Sequence, residues 1–144
     1  MNTASPEIFN LARRLIVIEA REDDSSDGQG EVSRRVIHEL RLQLIKFAGV
    51  DGFRSLLSRA LTLARKEAPA LNLVQIRADG SLENFNLVED SSNEETSAQP
   101  GTVLLAHLLQ LLVTFVGQSL TLTLLSEKWP EAIGKAGSET EDKQ

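Results

Sequence analysis

Residues Thr96 to Ser126 read TSAQPGTVLLAHLLQLLVTFVGQSLTLTLLS, thirty-one positions without one Asp, Glu, Lys or Arg. A quarter of the 144 residues are charged, so such a run is either a membrane span or a helix sealed inside a bundle. Its apolar part, Val103 to Leu125, is long enough to cross about 30 Å of hydrocarbon at 1.5 Å per residue. His107, Gln110, Thr114, Gln118 and Thr121 interrupt it at steps of three or four residues, which sets them along one narrow stripe. Leu105, Leu108, Leu112, Phe115, Val116 and Leu120 fill the rest of the circumference. A helix apolar on most sides with one thin polar seam suits the centre of a bundle. The flanks argue the same way: an acidic segment precedes the run and only Lys128 follows closely, so neither side carries a basic anchor. The expected fold class is all-α (mainly α), a helical bundle around a long, almost fully buried C-terminal helix. A single span at about 103–125 is the alternative.

Composition fits a bundle. The length suits one domain, here expected over residues 1–134 with a flexible charged tail at 135–144. Hydrophobic residues make up 41% and the mean hydropathy is −0.14, the balance of an ordinary water-facing protein. No cysteine is present, which excludes disulfides and thiolate metal sites and agrees with a reducing, cytoplasmic setting. The apolar stretch Leu15 to Ile18 is too short for a secretory signal and acidic residues follow it at once.

Working outward, Ser5 is placed to cap a first helix, with Pro6 at its first position and Glu7 near its positive end. Ile8, Leu11, Leu15 and Ile18 give that helix an apolar face. Acidic loops are expected at about 22–31 and 89–101. Between them, a second helix runs from about Val32 to Ala48, burying Val36, Ile37, Leu40, Leu44 and Phe47. Gly49 ends it and Asp51 caps a third helix from about Gly52 to Glu67, making an αα-hairpin. Phe53, Leu56, Leu57, Ala60, Leu61 and Ala64 are the cleanest amphipathic pattern in the chain. After Pro69, two short extended runs, Leu73 to Arg77 and Leu82 to Asn86, flank Asp79-Gly80, the signature of a short β-hairpin on the outside of the bundle. Trp129-Pro130 opens a last short helical turn.

Charge is segregated. Between Val32 and Lys66 eight cations face only Glu39 and Asp51, a balance of +6 in a chain of net charge −6. Arg34, Arg35, Arg41, Arg54, Arg59, Arg65 and Lys66 are therefore the candidate binding residues, for an acidic protein partner. The competing reading makes them the solvated faces of two amphipathic helices. Net acidity, no tyrosine, one tryptophan and five phenylalanines disfavour nucleic acid. Homo-oligomerisation through the polar seam of the last helix is a further expectation.

His38-Glu39-Leu40-Arg41 with Leu44 resembles the phosphoacceptor box of sensor histidine kinases. That resemblance implies a helical imidazole acting as nucleophile while the adjacent carboxylate orients it. The chain departs from the box at Leu42, where the family has Thr or Asn, at Gln43 in place of proline, and at Ile37. No Gly-rich ATP-binding segment follows. His107, between Ala106 and Leu108, reads as a hydrogen-bonded interior residue. Glu22-Asp23-Asp24 to Asp27-Gly28 lacks the alternation of a calcium loop, so no metal and no cofactor are expected. The strings GVDGFRSLLSRALTLA (Gly49 to Ala64), Ala78-Asp79-Gly80-Ser81-Leu82, and Leu120 to Leu125 with Trp129-Pro130 make the chain similar to small bacterial helical proteins of unknown function, over roughly Val32 to Pro130. The likeness implies a bacterial, intracellular protein and carries no activity. The expected function is a non-enzymatic protein-interaction module, an adaptor or regulatory subunit in a bacterial signalling or defence-type system. Alternatives are a histidine phosphoacceptor domain using His38 and a membrane-associated protein.

Overall fold

A computed structural model of the chain describes residues 5–23, 29–85 and 100–132. Helix α1 (Pro6–Asp23) starts as its sequence dictates: the Ile8 amide donates to Ser5 Oγ at 3.2 Å, the bond an N-cap serine makes. Helix α2 (Gln29–Glu67) carries both expected middle helices, joined at Gly49 with φ 78° and ψ 167°. That backbone region is open essentially to glycine alone. In a straight helix residues 41 and 53 would stand about 18 Å apart. Their side chains nonetheless both reach Gly80, so the chain turns sharply at Gly49. The junction is one glycine rather than a capped loop, and Asp51 lies in the first turn beyond it, where a carboxylate favours the positive end of the dipole.

A 3-10 turn (Pro69–Leu73) leads into strands β1 (Gln75–Ile76) and β2 (Leu82–Glu83), which pair antiparallel with Gln75 opposite Glu83 and Ile76 opposite Leu82. The Gly80 amide donates to the Arg77 carbonyl at 2.9 Å, and Gly80 itself has φ 89°. A tight turn closed by a positive-φ glycine is the role Asp-Gly was expected to play. The hairpin is not a free appendage: Gly80 is buried against Phe53.

The C-terminal rod is where the structure departs from expectation. Val103 to Leu125 does not form one helix. Helix α3 (Pro100–Val116) ends and helix α4 (Gln118–Lys128) begins at Gly117, φ 94° and ψ 156°. The Gly117 amide still donates to the Val113 carbonyl at 3.0 Å, and its own carbonyl receives the Thr121 amide at 3.1 Å and the Thr121 hydroxyl at 2.8 Å. One glycine closes one helix and caps the next. Burial breaks in the same place. Every residue from Pro100 to Leu109 is buried, with Leu111 and Leu112, whereas Phe115 is 63% and Leu120 44% exposed. The polar stripe is cut too: Thr114 and Gln118 are exposed and Thr121 is buried. Among the described residues no helix is long and apolar enough to cross a membrane, which corrects the single span at about 103–125.

Helix α3 packs chiefly on α2, and also on α1 and α4, within one contiguous apolar core. Full burial of a side chain such as Leu104, Leu105, Leu108 or Leu109 contributes about 1.5–3 kcal/mol, so this helix anchors the bundle. Its first turn crosses α2 closely: a Cβ on Gly101 would lie 2.5 Å from Cβ and Oγ of Ser33. The result is a mainly helical bundle with a small two-strand hairpin. Of the expected acidic loops, positions 24–28 and 89–99 lie outside the described residues, as do the side chain of Phe47, the boundary at 134 and the tail 135–144. The flanking positions 22, 23, 29–31, 100 and 101 belong to helices rather than loops, because α1 runs past its last apolar residue, α2 starts before its first, and Pro100 opens α3 as its first-turn proline.

Candidate functional site

The seven candidate cations do not form one surface. Three of them hold the fold together. Arg35 points its Nε at Glu19 Oε2, 3.7 Å away, while Trp129 Nε1 donates to Glu19 Oε1 at 3.1 Å. Glu19 is 8% exposed and Trp129 fully buried, so this trio ties α1, α2 and the end of α4 through a desolvated carboxylate. Arg41 donates from Nε to the Asp79 carbonyl at 2.8 Å and fixes the hairpin turn to α2. Arg65 donates to the carbonyls of Leu71 at 3.3 Å and Val74 at 2.9 Å, satisfying acceptors where the 3-10 turn runs into β1. A guanidinium has five donors in a fixed fork, which is why arginine serves these multi-carbonyl posts.

In the other group Arg59 and Lys66 are exposed and Arg54 half-buried. Arg54, Arg59 and Lys66 line an open groove of about 750 Å³ along the second limb of α2, with Ser55, Ser58, Thr62, Leu63 and Asp51. Their positions recur at helical spacing, so the groove is the solvent face of the amphipathic pattern whose other face buries Phe53, Leu57, Ala60 and Ala64. Arg54 Nη1 lies 3.8 Å from Asp51 Oδ1 in a solvated pair, a kind worth about 0–1 kcal/mol. Arg59 and Lys66 make no ion pair among the described residues. The hydroxyl of Thr62 donates back to the Ser58 carbonyl at 3.0 Å, leaving its oxygen as an acceptor at the rim.

Arg34 lies away from this groove, in a small cleft between α2 and the hairpin with His38, Arg41 and Ser81. His38 is exposed, as a phosphoacceptor must be. Its neighbour Glu39 reaches Lys128 Nζ on α4 at 3.9 Å, an engagement apart from the orienting role that the histidine-kinase box would give it. Beside the cleft the Asp79 carboxyl is held below its usual range, first by the Ser81 hydroxyl (2.7 Å) and amide (2.9 Å), then by the charge of Arg41.

His107 is the interior residue the sequence suggested. It is 1% exposed, and its Nε2 sits 2.7 Å from Glu67 Oε2 at the end of α2. One turn on, Gln110 Oε1 accepts the Ser5 amide at 3.1 Å, so the first two members of the polar stripe fasten α3 to α2 and to α1. Among the described residues no group of three or more His, Cys, Asp or Glu could hold a metal ion.

The chain matches no protein-family model, no curated protein and no solved structure. Sequence reasoning missed the Glu19–Arg35–Trp129 trio, since nothing in a chain advertises a contact between positions 110 residues apart. A signal was present all the same: a glutamate on the apolar side of α1, beside Ile18, needs a buried partner.

Proposed function

We propose that the protein is a non-enzymatic interaction module, an adaptor or regulatory subunit, which receives an acidic protein segment along the second limb of α2. The observation that carries this reading is the run of half-buried Arg54 with exposed Arg59 and Lys66, interleaved with three hydroxyls and opposed in the groove by the single carboxylate of Asp51. Seen along the helix axis, the cations step by about 7.5 Å and about 10.5 Å, a line of roughly 18 Å. A partner helix or extended strand with carboxylates at matching intervals can pair all three, while Ser55, Ser58 and Thr62 supply donors and acceptors between them. Interspersed small hydroxyls keep the groove floor low, so a main chain can approach.

The experiment uses a fluorescein-labelled 16-residue Glu-rich helical peptide and a Gln-rich counterpart, read by anisotropy. The Glu-rich peptide should bind the full chain, weaken with added salt, and lose roughly tenfold or more when Arg59→Glu and Lys66→Glu are combined, with melting temperature unchanged. Equal binding of the two peptides, or indifference to the double reversal, overturns the proposal. So does turnover of any substrate that a point substitution abolishes without unfolding the protein.

A further inference from the structure

A second basic constellation stands apart from that groove, where the first limb of α2 meets the hairpin turn. Arg34, His38 and Arg41 are four and three residues apart, one stripe of the helix rising about 6 Å and then about 4.5 Å. With Gly80 and Ser81 they line a partly open cleft of about 20 Å³, room for little more than one water-sized group. Arg41 is mostly withdrawn from solvent, its side chain 17% exposed. Yet among the described residues its one hydrogen bond runs from Nε to a neutral carbonyl. The nearest carboxylate oxygen, Asp79 Oδ2, is 3.8 Å from Nη2, beyond hydrogen-bond reach. The other oxygen, Oδ1, is taken by the amide and hydroxyl of Ser81. A partly desolvated guanidinium thus has terminal N–H groups that meet no hydrogen-bond acceptor among the described residues.

We infer that this cleft is a receptor for a phosphate monoester, one terminal oxygen of which enters between the two guanidiniums and the imidazole while the other oxygens and the ester body stay at its mouth. Size sets the mode of entry, because the cleft takes an oxygen and not a ring or a chain. Charge sets the choice of anion. A ligand must displace the pull of Asp79 on Arg41, which a dianionic phosphate does and a single carboxylate does not. The fork geometry of arginine fits two phosphate oxygens at once, and His38 offers a third donor from the same face. This site is independent of the acidic-partner groove, and either can fail alone.

The two histidines make the test internal, since His38 is exposed and His107 buried. The full chain is titrated at fixed pH and ionic strength with inorganic phosphate, with a short phosphoserine peptide and with acetate, following the imidazole Cε1 protons by NMR. The His38 signal should move saturably, with half-saturation at about 1–10 mM inorganic phosphate. His107 and the acetate series should stay still. Arg41→Lys, which keeps the charge and loses the fork, should raise half-saturation roughly fivefold, and Arg34→Gln should do the same without touching the hairpin anchor. Tighter binding of the phosphopeptide places the ester on a protein side chain, and equal binding points to a free phosphate ester; both support the site. A still or non-saturating His38, an equal response to acetate, or indifference to both substitutions overturns it.

Discussion

Replacing Gly117 with alanine separates two structures by the sign of the effect. If residues 103–125 formed one continuous helix, a mid-helix glycine would be a weakness and alanine would stabilise the protein by about 0.5–1 kcal/mol. In the structure Gly117 instead adopts φ 94° and ψ 156°, a region that side-chain-bearing residues enter at a cost of about 1–3 kcal/mol. No heavy atom lies within 4 Å of the Cβ that alanine would add, so no clash contributes and the whole change is backbone strain. For a chain of this length each kcal/mol lowers the melting temperature by about 2–4 °C. The single tryptophan, Trp129, is fully buried just beyond α4 and reports on whether that helix stays docked. Urea and thermal melts followed by its fluorescence and by far-ultraviolet circular dichroism should both show Gly117→Ala less stable than the parent. A gain in stability, or no change, would falsify the break and restore the continuous rod. Gly49→Ala should behave alike, since Gly49 shares the backbone region and its Cβ would also meet open space.

Glu19→Ala removes the carboxylate that faces Arg35 and takes the acceptor from the buried indole N–H of Trp129; it should cost about 1–3 kcal/mol in denaturant melts, with red-shifted native fluorescence. Gly101→Ala drives a methyl into Ser33 and should cost about 1–3 kcal/mol, part of which returns when Ser33→Gly is added, as a double-mutant cycle would show. The Asp79 carboxyl titrates lower in the folded state than in the unfolded, so the folded state favours its anion. Its contribution is present in full above the ordinary value of 3.8 and is lost as pH falls through the lower folded value. Asp79→Asn should therefore melt below the parent at pH 6, with the gap closing in acid; a gap that widens on acidification refutes the assignment.

Much of the fold was legible because its signals are local. Ser5-Pro6, the apolar steps of α1, Gly49 and Asp79-Gly80 each dictate backbone geometry within a few residues, and each sits where it was expected. Gly117 was present in the same alphabet, yet the surrounding leucines gave a helical period strong enough to read through it. Period says which face is apolar; it does not say whether one axis continues. The seven cations were legible as a charge imbalance and not as a division of labour. Arg35, Arg41 and Arg65 are committed to internal partners that lie far along the chain or on backbone carbonyls, and neither kind of partner leaves a mark in composition. Arg54, Arg59 and Lys66 were separable only by their spacing on the solvent side of the second limb.

The bond from the Trp129 indole to Glu19 also bears on how the molecule is made. Ribosomes deliver a chain from its amino end, so the first helix emerges more than a hundred residues before the ring that seals its acidic side chain. Until then Glu19 keeps its water and α1 lacks a full binding surface. Closing so long a loop is slow compared with local helix formation. Assembly should thus conclude from the carboxyl end, with acquisition of tryptophan protection as its last visible event, and nascent chains cut short of residue 129 should remain dependent on chaperones.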